Sequence, residues 1–397
     1  MEVEIKKLDD FGRGIGFIND KIVFVPKTII GDIANINIVV EKKNYCIGEL
    51  INIVKPSKLR TDAKCPFFNV CGGCSLQNIE YRIELVYKLD KVNNLLKKNK
   101  IDYEIKEIIK SDKQFNYRNK VSLKIENGKL GYYESETHNI VEIGYCLLLA
   151  NPINEVLKDI SSLNIINGEL TIRSNYKGEL LIIIYSKDIL SSYESIINNH
   201  KVAGIILNNE VIYGSDFFVD KIEDYIFKVS YDSFFQINPY ICSKIFQYIN
   251  IFTLDAKNLI DLYSGVGTLS IVSAHHAKSV LGVEIVKNAV SNAQTNALMN
   301  NLENVSFIES DTDKITENIK GKDFVIVDPP RSGLTKNIID SVIDYKVENM
   351  IYISCDPLTL IRDLKLLLND YEIKDMKLLD MFPNTYHVES IVVLNKK

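Results

Sequence analysis

The chain has 397 residues, of which 46% are hydrophobic and 25% charged, with a formal net charge of −5. That length excludes one ordinary domain and suits two or three, each with its own core, in a composition typical of soluble globular proteins. No apolar run is long enough to span a bilayer and Met1–Lys7 lacks the basic-then-apolar pattern of a signal peptide, so a cytoplasmic, non-membrane protein is expected.

Short β-rich runs, Lys21–Val25 and Ala34–Val40, separated by Gly12, Gly14, Gly16, Pro26 and Gly31, predict a small β-barrel over residues 1–56. Lys55–Arg60 is basic and loop-like, a candidate linker. From Lys55 to Leu130 there are 17 Lys+Arg against 9 Asp+Glu, a local excess of about +8 inside an acidic chain. Local field rather than net charge governs phosphate binding, so a nucleic-acid partner stays open. Ile83, Leu85, Val86, Leu89, Val92, Leu95 and Leu96 recur at helical spacing between Ile79 and Lys100. Residues 117–229 again read as strands with a few helices, which makes 57–232 a central α+β domain. From Ser233 the rhythm becomes strand, glycine turn, helix, with six apolar runs ending at Ser390–Leu394. That alternation predicts an α/β, Rossmann-like, largely parallel sheet over 233–397.

Three stretches of that last region carry chemistry. Gly265 and Gly267 follow the first run and open a helix, and Glu284 ends the second run 23 residues after Asp261. Such a turn admits close approach of a nucleoside, with the acidic side chain on its ribose. The third glycine of a dinucleotide fingerprint is missing, which favours S-adenosylmethionine over NAD. Asp328-Pro329-Pro330 stiffens the exit of the fourth run, as methyltransferases acting on nucleobases or amides do over the substrate ring. Cys355 ends the fifth run ahead of Pro357, which is expected to force a loop, and Thr385–Ser390 precedes the sixth. A thiol and a carboxylate at one sheet edge suit covalent addition to C6 of a pyrimidine, methylation at C5 and removal of the C5 proton. His387 reads as readily as a packed histidine.

Seven cysteines are unevenly spread, and Cys65, Cys71 and Cys74 form a block in which two glycines separate the last pair. In a reducing compartment this spacing suits a metal or cluster, with Cys146 as a possible fourth ligand. Zinc and iron–sulfur both remain open on spacing.

Together these motifs resemble the RNA uracil-C5 methyltransferase family, and within it the 23S ribosomal RNA branch. The resemblance spans nearly the whole chain and rests on Cys65-x5-Cys71-Gly72-Gly73-Cys74-x-Leu76-Gln77, Tyr117–Lys120, Ser233–Asn238, Asp328–Arg331, Ser354–Pro357 and His387–Glu389. It implies an N-terminal TRAM barrel and a [4Fe–4S] cluster on Cys65, Cys71, Cys74 and Cys146. It implies also that the helix near 77–110 packs on the catalytic domain. Gln236, Tyr263, Glu284 and Asp328 would hold S-adenosylmethionine, Cys355 would be the nucleophile and Glu389 the base, and Arg118 and Asn119 would line the RNA side. Ser264 and Asn78 depart from the family's usual cysteine and histidine. The implied partner is 23S rRNA, engaged by a monomer through a single-stranded loop with a flipped uridine. Transfer-RNA members are expected to lack both the barrel and the cysteine block. A non-catalytic iron–sulfur RNA-binding protein would need neither Cys355 nor Glu389.

Overall fold

The computed structural model describes residues 1–135, 137–188, 190 and 192–397. The first sheet runs Glu2–Glu4, Ile33–Glu41, Tyr45–Lys55, Lys21–Val25, Gly14–Ile18, Lys7–Leu8. Its two edges belong to one continuous segment: Glu2–Glu4 pair with residues 33–35, and Lys7 and Leu8 pair with Ile15 and Gly14. The segment therefore closes the sheet into a barrel, with Val3, Ile5, Val23, Val25 and Ile36 inside. Three register irregularities between the two longest strands let them bend around it.

The second sheet, of seven strands, is antiparallel except where Leu180–Ser186 pairs with Val202–Leu207. Leu180, Ile182 and Ile184 face the helix Asn151–Leu157 side of the sheet, whereas Leu181 and Ile183 join the core that holds Phe246 and Ile249. Both faces are covered, which is why this strand reads as an unbroken apolar run.

The third large sheet has the order Val305–Glu309, Ser279–Glu284, Asn258–Leu262, Phe324–Val327, Asn349–Ser354, Glu389–Lys396, Tyr371–Leu379, Ile108–Ile109. The strands from Val305–Glu309 to Asn349–Ser354 are parallel, and Glu389–Lys396 runs antiparallel to both neighbours. Chain order reverses between Asn258–Leu262 and Phe324–Val327, the switch point at which such sheets open a crevice. Tyr371–Leu379 and Ile108–Ile109 extend the sheet beyond the six runs expected. Glu372, Lys374, Asp375 and Lys377 interrupt the first with charge, and the second has two residues, too few for any periodicity.

The helix Tyr81–Lys98 packs Val92 and Leu96 into the core that holds Leu364, Met376 and Leu378. Its buried stripe is Glu84, Lys88, Val92, Leu96, each four residues from the last. Val86, expected inside, is half exposed, and Leu85 and Leu89 are only partly covered. The N-terminal half of the buried face is an ion pair, so of the residues in the apolar pattern only Val92 and Leu96 lie on the buried stripe.

Candidate active site

The functional side chains converge because four parallel strands present their carboxyl ends, and the antiparallel Glu389–Lys396 its start, at one edge. Tyr352 pairs with Val327 and Ser354 with Ser390. One residue further on, Asp328, Cys355 and Glu389 leave adjacent strand ends together. Pro357 does not force a loop. It occupies the first turn of the helix Pro357–Leu367, and Asp356 caps that helix by accepting from Leu358 N (2.9 Å) and Thr359 N (3.0 Å). Cys355 thus sits between a strand end and a helix N-terminus, where amide dipoles favour a thiolate.

The surrounding charges act the other way. Burial pushes the Cys355 thiol up to about 11, with Glu389 and Asp328 adding to the rise and Arg331 opposing it. Burial likewise lifts Asp328 to about 7, against a hydrogen bond from Gln236 Nε2 at 3.3 Å. Glu389 is held well above the usual carboxylate range by burial and by Asp328, again opposed by Arg331. A proton-rich pocket of two carboxyls and a thiol, with one guanidinium beside them, is a site for moving protons.

The neighbouring turn is shaped for a nucleoside. Tyr263, Gly265 and Gly267 have φ of 67°, 56° and 83°. A Cβ on Gly267 would lie 2.8 Å from Phe307, while Gly265 has nothing within 4 Å of that position, so its open side faces free space. Glu284 pins the turn by accepting from Gly265 N (3.0 Å) and Val286 N (2.8 Å). Ser264 Oγ and Asp261 Oδ1 are buried without a partner, although Asp261 Oδ2 accepts from Ser270 Oγ (2.5 Å). Unpaired polar atoms beside an open glycine fit a polar nucleoside cofactor.

The sequence profile described as tRNA (Uracil-5-)-methyltransferase matches residues 80–397, and that of the TRAM domain matches residues 1–51. The chain belongs to the S-adenosylmethionine-dependent RNA uracil-5 methyltransferase family. An uncharacterized RNA methyltransferase of Clostridium tetani is 35% identical over 96% of this chain and 93% of its own length. One of Caldanaerobacter subterraneus is 33% identical over 99% and 98%. The tRNA (uracil-54, C5)-methyltransferase of Pyrococcus abyssi, solved with S-adenosyl-L-homocysteine, is similar in structure at 26% identity, with a TM-score of 0.84 over 99% of this chain and 100% of that one. That likeness includes the barrel, which corrects the expectation that a barrel sets ribosomal-RNA members of the family apart from transfer-RNA members.

In this family member Cys65, Cys71, Cys74 and Cys146 line one small cavity with Phe67, Tyr132 and other side chains. Among the described residues no group of three or more His, Cys, Asp or Glu is placed to hold a metal ion, so the structure supports neither of the two alternatives, zinc or an iron–sulfur cluster, left open on spacing. Burial raises the Cys71 and Cys146 thiols and pushes Cys74 up to about 12. Gln77 Nε2 donates to Cys74 Sγ at 3.2 Å, and Lys27 Nζ donates to the carbonyls of Cys71 (3.0 Å) and Cys74 (2.6 Å).

Arg118 lies in the wall of that cavity, with Nε buried and unpartnered and its guanidinium 6.0 Å from the Phe382 ring. Asn119 ties the cofactor-side segment to the central sheet: its Nδ2 donates to Gln236 O (3.1 Å) and its backbone N to Ile237 O (3.0 Å). The His387 ring packs at a tilt on Tyr386, 4.1 Å between centroids, and burial lowers its pKa to about 4, which favours the neutral imidazole at physiological pH.

Two features were missed by sequence reasoning. Arg331 was in plain view after the paired prolines, and its charge beside two acidic strand ends is the signal that could have singled it out. The other is the buried triad of Lys88 with Glu84 (2.7 Å) and Asp380 (2.6 Å), to which Tyr81 Oη adds a 2.6 Å bond on Asp380. Its signal, a Lys four residues from a Glu on a helix, is that of any solvated face.

Proposed function

We propose that the protein methylates C5 of a uridine in 23S ribosomal RNA, with Cys355 as nucleophile and Glu389 as base. The observation that supports the chemistry of this reading is the convergence of Cys355, Glu389 and Asp328 on adjacent strand ends next to the Gly265 turn, and the ribosomal substrate follows from the resemblance of the sequence motifs alone. Uracil C5 is a poor nucleophile, so a covalent step comes first. The Cys355 sulfur bonds to C6, and the C5=C6 electrons move toward the C4 carbonyl, leaving C5 able to take a methyl group. Gln236, Tyr263, Glu284 and Asp328 would hold S-adenosylmethionine, whose sulfonium would supply that methyl group. Glu389 then removes the C5 proton, C5=C6 re-forms and the C6–S bond breaks, returning Cys355. A carboxylate with a raised affinity for protons suits that last step. Arg331 favours the ionised forms of both Cys355 and Glu389.

The proposal includes a [4Fe–4S] cluster on Cys65, Cys71, Cys74 and Cys146. Four cysteines lining one cavity, with Lys27 and Arg118 nearby as cations, suit an anionic thiolate-bound group. Anaerobically purified protein should be brown and contain iron and sulfide; colourless protein would sink this part alone.

A second reading, a transfer-RNA uridine as substrate, is favoured by the likeness to the Pyrococcus abyssi enzyme. Protein incubated with labelled S-adenosylmethionine and, separately, unmodified 23S rRNA or tRNA separates the two when 5-methyluridine is mapped. Label in tRNA alone would replace the first reading by the second. Glu389→Gln should lower turnover by about 10²–10⁴-fold and accumulate a denaturation-resistant RNA adduct. Methyl transfer by Cys355→Ala at the wild-type rate would overturn the mechanism.

A further inference from the structure

A cleft of about 240 Å³ opens where the barrel, the cysteine loop and the segment before Glu389 meet. That is smaller than the ~300–1,000 Å³ of sites for drug-sized ligands, so it suits one planar ring. Phe11 and Arg13 come from the barrel, Ser75 from the cysteine loop, Ser135 from the central sheet and Tyr386 from the catalytic domain. Phe11 is 55% exposed, although its edge meets Tyr386 at 5.5 Å and 73°. Tyr386 lies 4.1 Å from His387, and His387 5.6 Å from Phe382. A file of three rings, Phe11, Tyr386 and His387, therefore runs from the barrel surface to a residue two before Glu389 in the chain, and Phe382 packs on the last of them.

Two cations border the file, each also facing carboxylates: the Arg13 guanidinium, 5.4 Å from the Phe11 ring, is paired with Asp9 at 2.8 Å, and Lys91, whose Nζ is 5.3 Å from the Tyr386 ring, lies near Asp10. Lys91 also donates to Asp10 O (2.6 Å) and Tyr386 O (3.2 Å), bracing the barrel turn against the catalytic segment. Ser75 Oγ, in the cleft wall, is buried without a partner.

We propose that this cleft seats an unpaired nucleobase flanking the target uridine, stacked on Phe11 and walled by Tyr386, with its phosphate near Arg13 and Lys91. The inference rests on the reading of the chain as a uridine-modifying enzyme. Aromatic faces accept any base, and cations at the rim take the backbone. Holding a neighbour out of the stack also restricts where the target uridine emerges, because Tyr386 and His387 directly precede the strand that Glu389 begins.

The test uses a short single-stranded RNA with one uridine and 2-aminopurine placed at each other position in turn. Wild type should quench the fluorescence at one position flanking the uridine. Phe11→Ala should restore it there and weaken binding on the order of tenfold, while Phe11→Trp should retain both effects. If no position depends on Phe11, or Phe11→Ala binds as tightly as wild type, the cleft is not a base site. Methyl transfer to the same RNA is read in parallel. Transfer without Phe11-dependent quenching would sink the cleft alone; Phe11-dependent quenching without transfer would keep it and sink the proposed reaction.

Discussion

Cys355 faces opposed influences, and their balance sets a measurable property. The helix N-terminus and Arg331 favour the thiolate, while burial, Glu389 and Asp328 favour the thiol, and the second set wins at about 11. A thiol raised above its ordinary value is mostly protonated at neutral pH, and its thiolate fraction grows as pH approaches the raised value. Alkylation of Cys355 by iodoacetamide, read by peptide mass spectrometry, should therefore climb about tenfold per pH unit from about pH 7 to about pH 10. A plateau near pH 7 would show that Arg331 and the helix dominate instead. The same residue shows what was legible at this scale. Cys355, Asp328 and Glu389 each end or begin an apolar run, so their shared edge follows from topology. Their mutual electrostatics does not, because it depends on which strands are neighbours, and Glu389–Lys396 lies beside Asn349–Ser354 by inserting ahead of Tyr371–Leu379.

At the scale of elements, the segment 380–386 is held from every side. Lys88 Nζ donates to Asp380 and to Phe382 O (3.1 Å), Asn384 N donates to Glu84 (2.8 Å), Tyr117 Oη to Pro383 O (3.1 Å) and Asn238 Nδ2 to Met381 O (3.0 Å). Burial opposes the charge on Lys88, but Glu84 and Asp380 outweigh it and raise its affinity for the proton. Burial in turn raises Glu84 to about 7. Lys88→Met removes the cation between two buried carboxyls and should cost about 3–5 kcal/mol, seen as a lower melting temperature. It should also slow turnover, because the freed segment leads directly to Glu389. Adding Glu84→Gln and Asp380→Asn should recover much of the stability; a Lys88→Met protein as stable as wild type would refute the clamp. This network was beyond sequence reading because Glu84, Lys88 and Asp380 are ordinary surface residue types, and only the packing of Tyr81–Lys98 on the catalytic sheet turns them inward. The barrel and the parallel strands were readable, since alternation and glycine turns are local; the Tyr371–Leu379 edge was not, since one open face lets charge break the pattern.

Across the whole molecule, the cysteine loop is the joint between the barrel, the central sheet and the catalytic domain. Lys27 reaches into it from the barrel, Ser75 N and Leu76 N both donate to Asn384 O (3.1 Å each), and Gly72 N donates to Tyr133 O (3.0 Å). Arg60 grips Asp32 at 2.6 Å and, with Asn78, donates to Lys27 O. Part of the basic excess between Lys55 and Leu130 is therefore taken up inside the protein, since Lys88 is buried between carboxyls and Arg60 is paired with the buried Asp32, so the cationic surface left for RNA is smaller than the local count suggests. If the loop is the joint, cutting one of its ties should free the barrel without unfolding the catalytic domain. Lys27→Met loses two hydrogen bonds from a charged donor, each worth about 1.5–3 kcal/mol. It should open the Lys55–Arg60 linker to trypsin at least tenfold faster, with the fragment from residue 61 onward remaining intact. Equal cleavage of wild type and variant would show that the barrel is fixed elsewhere. Simultaneous loss of the large fragment would show instead that Lys27 supports the fold as a whole.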